Sequence, residues 1–421
     1  MDNKAELLRG AVAFLIVARC AAQLWLERVN RRFVVANSRG VPDAFREVMD
    51  ESTFRKSTSY TLAKTSLHQI EIVVDTIILA VVLFSGWLPW FFRIFTSKSG
   101  TSPVALAAFI FVVGISLSVL DVPLSWFAQF RIEDRFGFNT TTQKTWWLDR
   151  IKGLLLAILL GYPLLILVLK LVDWMGNSWW FWAWVAMLLF QFLIMLLAPV
   201  LIMPLFNKFT PLPEGSLRDR LLKLADRTRF RARSIQVMDG SKRSRHSNAF
   251  FTGFGRFRKI VLFDTLIQQL GETELEAVLA HEIGHYKKKH LSKMLLVSAM
   301  TSLAGLYIVA WLARQEWFFG AFGFPSPAIA IALLLFGLLS GVVTFWFSPL
   351  GHWCSRRYEY QADGYSREVM NEAGSLIGAL RKLNEKNLSN LTPHPIYSGF
   401  YYSHPTLLER ERALTAPARR V

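Results

Sequence analysis

The chain has 421 residues and a formal net charge of +17, and 52% of it is hydrophobic, with 33 Phe and 15 Trp. A soluble protein of this size would expose too much of that surface to water, so one large membrane bundle with a soluble part is expected. The positive charge is then assigned to basic cytoplasmic loops and not to a nucleic-acid surface. The two cysteines, Cys20 and Cys354, form no CxxC pair and no disulfide framework.

Seven segments are long and apolar enough to cross a bilayer, which takes about 20 helical residues. They lie near 8–26, 68–92, 103–127, 152–172, 179–204, 291–313 and 325–349. Arg19 interrupts the first, and Glu71 and Asp75 lie near one end of the second. Trp179, Trp180, Trp182 and Trp184 mark an expected membrane interface. Seven crossings put 27–67, 128–151, 205–290 and the tail from 350 on one side. With their flanks, these carry 8, 5, 17 and 10 Lys and Arg. The other side has Lys4, Arg9, Arg93, Lys98 and Arg314. This asymmetry makes the basic side cytoplasmic, with the N-terminus outside and the C-terminus inside.

The 205–290 loop reads as a folded insert. Leu217, Leu221, Leu224 and Ala225 have helical spacing over 216–229. Strands are expected at SIQVMD (234–239), NAFFTGF (248–254) and KIVLFDTLI (259–267). A helix then runs from about Glu272 to His290, with Thr273 and Glu276, or Gly271 or Glu272, as its cap.

That helix carries HEIGH. His281 and His285 are four residues apart, so both imidazoles leave one face and can share a metal. Glu282 is placed to act as general base towards a water activated by zinc. A catalytic zinc takes a third protein ligand and keeps one position open. Glu359 in RRYEYQAD (356–363) is the candidate, although a solvated acidic helix face reads equally well there. Asp363, one turn on, can accept a hydrogen bond from the free nitrogen of a ligating His.

Taken together, HEIGHYKKKH, RRYEYQAD, KRSRHSNAFFTGFGRFRKIVLFDTLI and SHPTLLERERAL resemble the Ste24-type CAAX prenyl proteases of the M48 metallopeptidase family. DESTFRKSTSYTLAKT (50–65), RIEDRFGFNTTT (131–142) and APVLIMPLFNKFTPLPEG (198–215) resemble its N-terminal loops. The resemblance implies seven helices in an α-barrel around a large water-filled chamber, capped on the cytoplasmic side by a small α+β zincin-like domain. It divides the chain into a membrane domain, 1–204, and a peptidase domain, 205–421, that includes the last two spans. It implies one zinc held by His281, His285 and Glu359, with Glu282 as base and Asp363 behind the ligands. Asn248 and His404 match positions near the substrate, and Arg410 matches a brace of the site. NAFFTGF matches a strand that binds extended peptide through its main chain.

The expected activity is hydrolysis near the C-terminus of a peptide or protein substrate of the prenylated CAAX type, in a lipid bilayer. A membrane quality-control protease with broader substrates is the alternative within the enzyme class. A transporter or channel leaves HEIGH and EYQAD unexplained, and a lipid-peptide-binding pseudo-enzyme would lack a ligand or base that this chain retains. Compared with eukaryotic members the chain is shorter and its end, ARRV, carries no retrieval signal. A bacterial inner membrane is therefore expected over the endoplasmic reticulum.

Overall fold

In a computed structural model, which describes residues 3–46, 49–230, 234–252 and 259–417, the chain is mostly helical with one small sheet. Two 34-residue helices, α1 (Asn3–Ala36) and α2 (Glu51–Phe84), stand side by side. At 1.5 Å per residue each is about 51 Å long, well beyond the ~30 Å of a bilayer core. Their polar halves therefore continue out of the apolar layer towards the peptidase part. Ser85 and Gly86 then break the chain, Gly86 with φ 79°, and α3 (Trp87–Ser99) begins. The span expected at 68–92 is thus two helices, because a left-handed residue cannot continue one.

The helix α4 (Pro103–Phe127) runs through a π-helical turn to Glu133. The chain from 143 to 206 is one nearly continuous helical run: α5 (Gln143–Leu156), α6 (Tyr162–Met175), α7 (Trp179–Leu197) and α8 (Met203–Phe206). It folds back at Gly176, whose φ is 51°. The Lys152 ammonium consequently donates to the Leu205 carbonyl at 2.7 Å, joining the two ends of the hairpin.

The insert follows as β1 (Phe209–Pro211), α9 (Ser216–Arg227), β2 (Ser234–Met238), β3 (Ala249–Thr252), β4 (Lys259–Phe263) and α10 (Asp264–Gln269). The sheet order is β1-β2-β4-β3, with β2 and β4 parallel and the other pairs antiparallel. The expected third strand therefore stops at Phe263, and DTLI starts α10. Gly253 and Phe254 of NAFFTGF lie outside the described residues. β1 was missed, since three residues are too few for a periodic signal. The sheet packs on α9 and on α11 (Glu272–Lys287) through Leu221, Leu224, Ile260, Leu262, Leu275 and Leu279, all fully buried.

Glu274 accepts from the Gly271 N–H at 2.7 Å, so the start of α11 is capped from Gly271 and not by a Thr273–Glu276 box. Its end is also earlier than expected. Lys289 is left-handed (φ 56°), and His290 opens α12 (His290–Leu312). Then come α13 (Glu316–Gly320), α14 (Ile329–Thr344), α15 (Ser348–Met370), α16 (Gly374–Lys386), α17 (Pro395–Tyr401) and α18 (Leu407–Thr415).

Six helical runs among the described residues are long and apolar enough to cross a membrane, the fourth being the folded-back run 143–206. Their outer faces present Phe14, Ile77, Leu159, Leu189 and Leu296, each more than half exposed. A surface of that kind requires lipid. The chain is therefore a multi-pass membrane protein.

Candidate metal centre

The site is made where α11 crosses α15. Gly284 is the reason the two helices come so close: a Cβ there would lie 3.0 Å from the Ala362 Cα and 3.1 Å from the Ala362 carbonyl. From α11, His281 and His285 point their Nε2 atoms at one another, 3.2 Å apart. From α15, Glu359 meets His281 Nε2 at 3.5 Å through one oxygen and His285 Nε2 at 3.3 Å through the other. Ligands about 2.1 Å from a tetrahedral zinc lie about 3.4 Å apart, so this triangle has the size of a zinc site. The donor set also fits, being two imidazoles and one carboxylate. Glu359 Oε2 is buried without a hydrogen-bond partner, which an ordinary ion pair does not leave behind.

Each histidine is oriented from behind. His281 Nδ1 donates to Asp363 Oδ1 at 2.8 Å, which frees Nε2 as a lone-pair donor. Arg410 grips Asp363 with both Nε and Nη2, at 2.9 and 2.5 Å. His285 has a second device. Its Nδ1 lies 3.0 Å from His290 Nδ1, and His290 Nε2 lies 2.9 Å from Gln361 Oε1. The amide oxygen accepts only, so His290 carries its proton on Nε2 and accepts from His285 Nδ1–H. Tyr358 stacks on His290 with ring centroids 4.2 Å apart, locking that ring.

His290 and Gln361 escaped the sequence reading. His290 looked like the end of α11; it opens α12 instead, because the chain turns at Lys289. The signal available was Gln361 in the same RRYEYQAD run as Glu359, two residues on.

Glu282 is half-buried beside the ligands. Burial pushes its carboxyl above the ordinary range, and His281 and His285 oppose that rise. His404, from the turn before α18, is exposed and reaches Glu359 Oε1 at 3.5 Å. Asn248 is placed differently. It precedes β3, and its side-chain oxygen accepts from the Ala249 N–H at 2.8 Å, not from the metal cluster. β3 is the last strand of the sheet, pairing with β4 on one side only among the described residues.

A cavity of about 750 Å³ opens from Arg410 and His404 between the upper ends of α1 and α2. Glu27, Asn30, Lys64, His68 and Tyr397 line its far side. A second cavity of about 400 Å³ continues from His68 and Glu71 to Arg19, Asp75 and Asp121. Arg19, Glu71 and Asp75, the charges of the first two apolar spans, thus face an interior space, whereas the Lys170 ammonium lies over Trp174. His246 is held by Glu133 (3.3 Å) and Asn387 (3.1 Å) on the first cavity's wall.

Two family models cover nearly all of the chain. "CAAX prenyl protease N-terminal, five membrane helices" matches residues 30–208, and "Peptidase family M48" matches residues 211–418. A CAAX prenyl protease 1 homolog of Arabidopsis thaliana is 36% identical over 89% of this chain and 90% of that protein. The chain belongs to the CAAX prenyl protease 1 family of M48 metallopeptidases. CAAX prenyl protease 1 of Saccharomyces cerevisiae is 36% identical (91% and 90% covered), and the human homolog is 30% identical (91% and 90%). The crystal structure of S. mikatae Ste24p superposes with a TM-score of 0.89, at 33% identity over 96% of this chain and 98% of that one. These relatives are all eukaryotic; the bacterial origin expected from the sequence has no counterpart among them. Membership makes this chain a membrane metalloprotease, as HEIGH and the apolar spans implied.

Proposed function

We propose that this M48 peptidase hydrolyses a peptide bond near the C-terminus of prenylated CAAX-type substrates, with one zinc held by His281, His285 and Glu359. The observation that carries the reading is the meeting of those three ligands, with Glu282 alongside, next to Arg410 and His404, which border a cavity of about 750 Å³. When bound, zinc supplies Lewis acidity towards the scissile carbonyl and the attacking water. Glu282 takes the proton from that water and returns it to the leaving amine. Asp363 and Arg410 hold His281 in the required tautomer, and His290 does the same for His285. His404, exposed at the ligand cluster, is assigned a hydrogen bond to the developing oxyanion. The free edge of β3 is assigned the main chain of an extended substrate, with Asn248 at the start of that edge.

The membrane part is read as seven crossings forming an α-barrel, with the hairpin 143–206 counted twice. Residues 1–204 form the membrane domain, and 205–421 form the peptidase domain with two more spans. The basic loops support an outside N-terminus with the C-terminus and metal centre cytoplasmic.

Glu282→Gln tests the mechanism. The purified variant is expected to keep about one zinc per chain while cleavage of a farnesylated CAAX peptide falls by at least ~10²–10⁴-fold. Undiminished cleavage would sink the assigned role. The unprenylated peptide run in parallel tests the substrate: equal rates on both favour a quality-control protease.

A further inference from the structure

A second pocket lies on the other side of His404. It has a volume of about 390 Å³, within the size range of small-ligand sites. Leu391, Tyr402, His404 and Thr406 line both this pocket and the 750 Å³ cavity, so His404, 3.5 Å from the ligand Glu359, stands in the wall between two spaces. The pocket's walls are largely apolar, with Phe33, Phe45, Leu391 and Leu408 among them. Among the described lining residues its only Lys or Arg is Arg356. Glu409 also lines it, but its Oε2 is already bonded by the N–H and hydroxyl of Thr406, at 2.8 and 2.9 Å.

Arg356 is tied to this place. Its Nη1 donates to the carbonyls of Gly399 (3.2 Å) and Tyr402 (2.7 Å). Both bonds use Nη1, and Nε and Nη2 are further donors of a rigid fork that matches a carboxylate. Arg356 also sits three residues before Glu359 on α15, so the two side chains leave the same face about 5–6 Å apart. An extended tripeptide spans about 10 Å, so an anion three residues beyond a bond held at the metal centre falls within an arginine's reach.

We propose that this pocket is the subsite for the leaving end of the substrate, and that Arg356 binds its free C-terminal α-carboxylate. The apolar walls take the aliphatic side chains of the last residues, and the chamber takes the lipid-bearing part. The inference rests on the C-terminal cleavage proposed above and adds what reads the C-terminus. It makes Arg356 a specificity-determining residue that discriminates a free acid from a neutral end.

The test uses the full-length zinc-loaded enzyme and two farnesylated peptides that differ only in a C-terminal carboxylate or carboxamide. The acid is expected to be cut with a kcat/KM at least ~10-fold above the amide, the size of one charge-assisted hydrogen bond. In Arg356→Gln the acid-to-amide ratio is expected to fall towards one, and Arg356→Lys, which keeps the charge, is expected to retain part of it. A wild-type enzyme that does not discriminate overturns the proposal. So does an Arg356→Gln variant that lowers both rates equally, because loss of the Gly399 and Tyr402 bonds alone would do that. If neither peptide is cut, the CAAX reading fails instead. Binding of a Val-Ile-Ala tripeptide acid against its amide, followed by thermal stabilisation of wild type and Arg356→Gln, then decides the subsite separately: no preference for the acid overturns it.

Discussion

At the scale of single residues, the metal centre is a competition between zinc and a proton. Burial alone would depress His281, whose side chain is 8% exposed. Hydrogen bonds to Asp363 and Glu359 more than offset this and raise it to about 9 in the metal-free protein. The sign follows from linkage. A folded-state pKa above the unfolded value of about 6.5 stabilises fully below pH 6.5, and that contribution is lost as pH rises through about 9. Metal-free protein is therefore expected to lose stability between those limits. Zinc needs the neutral imidazole, so loading at pH 7 must release a proton. Calorimetry in two buffers of different ionisation enthalpy measures it; identical heats would count against the assignment. Much of this was legible, since HEIGH and EYQAD place His281, His285, Glu359 and Asp363 by helical spacing. His290 was not, because a turn at one left-handed lysine reassigns it from the end of one helix to the start of the next.

At the scale of elements, the site depends on one helix crossing. Alanine normally favours a helix over glycine by roughly 0.5–1 kcal/mol. At position 284 the added methyl meets backbone at 3.0 Å, where overpacking typically costs about 1–3 kcal/mol, so the clash wins. Gly284→Ala is expected to push α15 away from α11, lower the melting temperature and weaken zinc retention together. A variant with unchanged melting and zinc content would show that the crossing can relax. Periodicity located α9 and α11 well, and it located β2 and β4 to within a few residues. It overran β4 into α10, because Thr265, Leu266 and Ile267 suit either state and their burial against the sheet selects helix.

At the scale of the whole molecule, the polar residues of the apolar spans converge. Arg19, Glu71, Asp75 and Asp121 belong to α1, α2 and α4, and they line one cavity that adjoins the chamber below the metal centre. The long α1 and α2 also bind the peptidase part directly: Glu27 accepts from the Tyr397 hydroxyl at 2.9 Å, and Asn30 accepts from the His394 N–H at 3.0 Å. These bonds fix α17, which leads to His404. The segment carrying His404 is thus bonded to the end of α1, and the proposed orientation puts it, with the C-terminus, on the cytoplasmic side. A tag at the C-terminus is expected to resist protease in sealed right-side-out vesicles and to become accessible on permeabilisation. Cleavage in sealed vesicles would reverse the proposed orientation.

Hydropathy, charge asymmetry and the four-residue spacing of two histidines are local properties, so membrane embedding and the metal motif could be read from the chain alone. Which carboxylate completes the triangle and which amide orients His290 depend on residues more than 70 positions apart in sequence, and the cation bordering the pocket beyond His404 comes from a different helix. Helix crossings set by packing bring them together, and in one place the decisive group is an absent one, the missing side chain of Gly284.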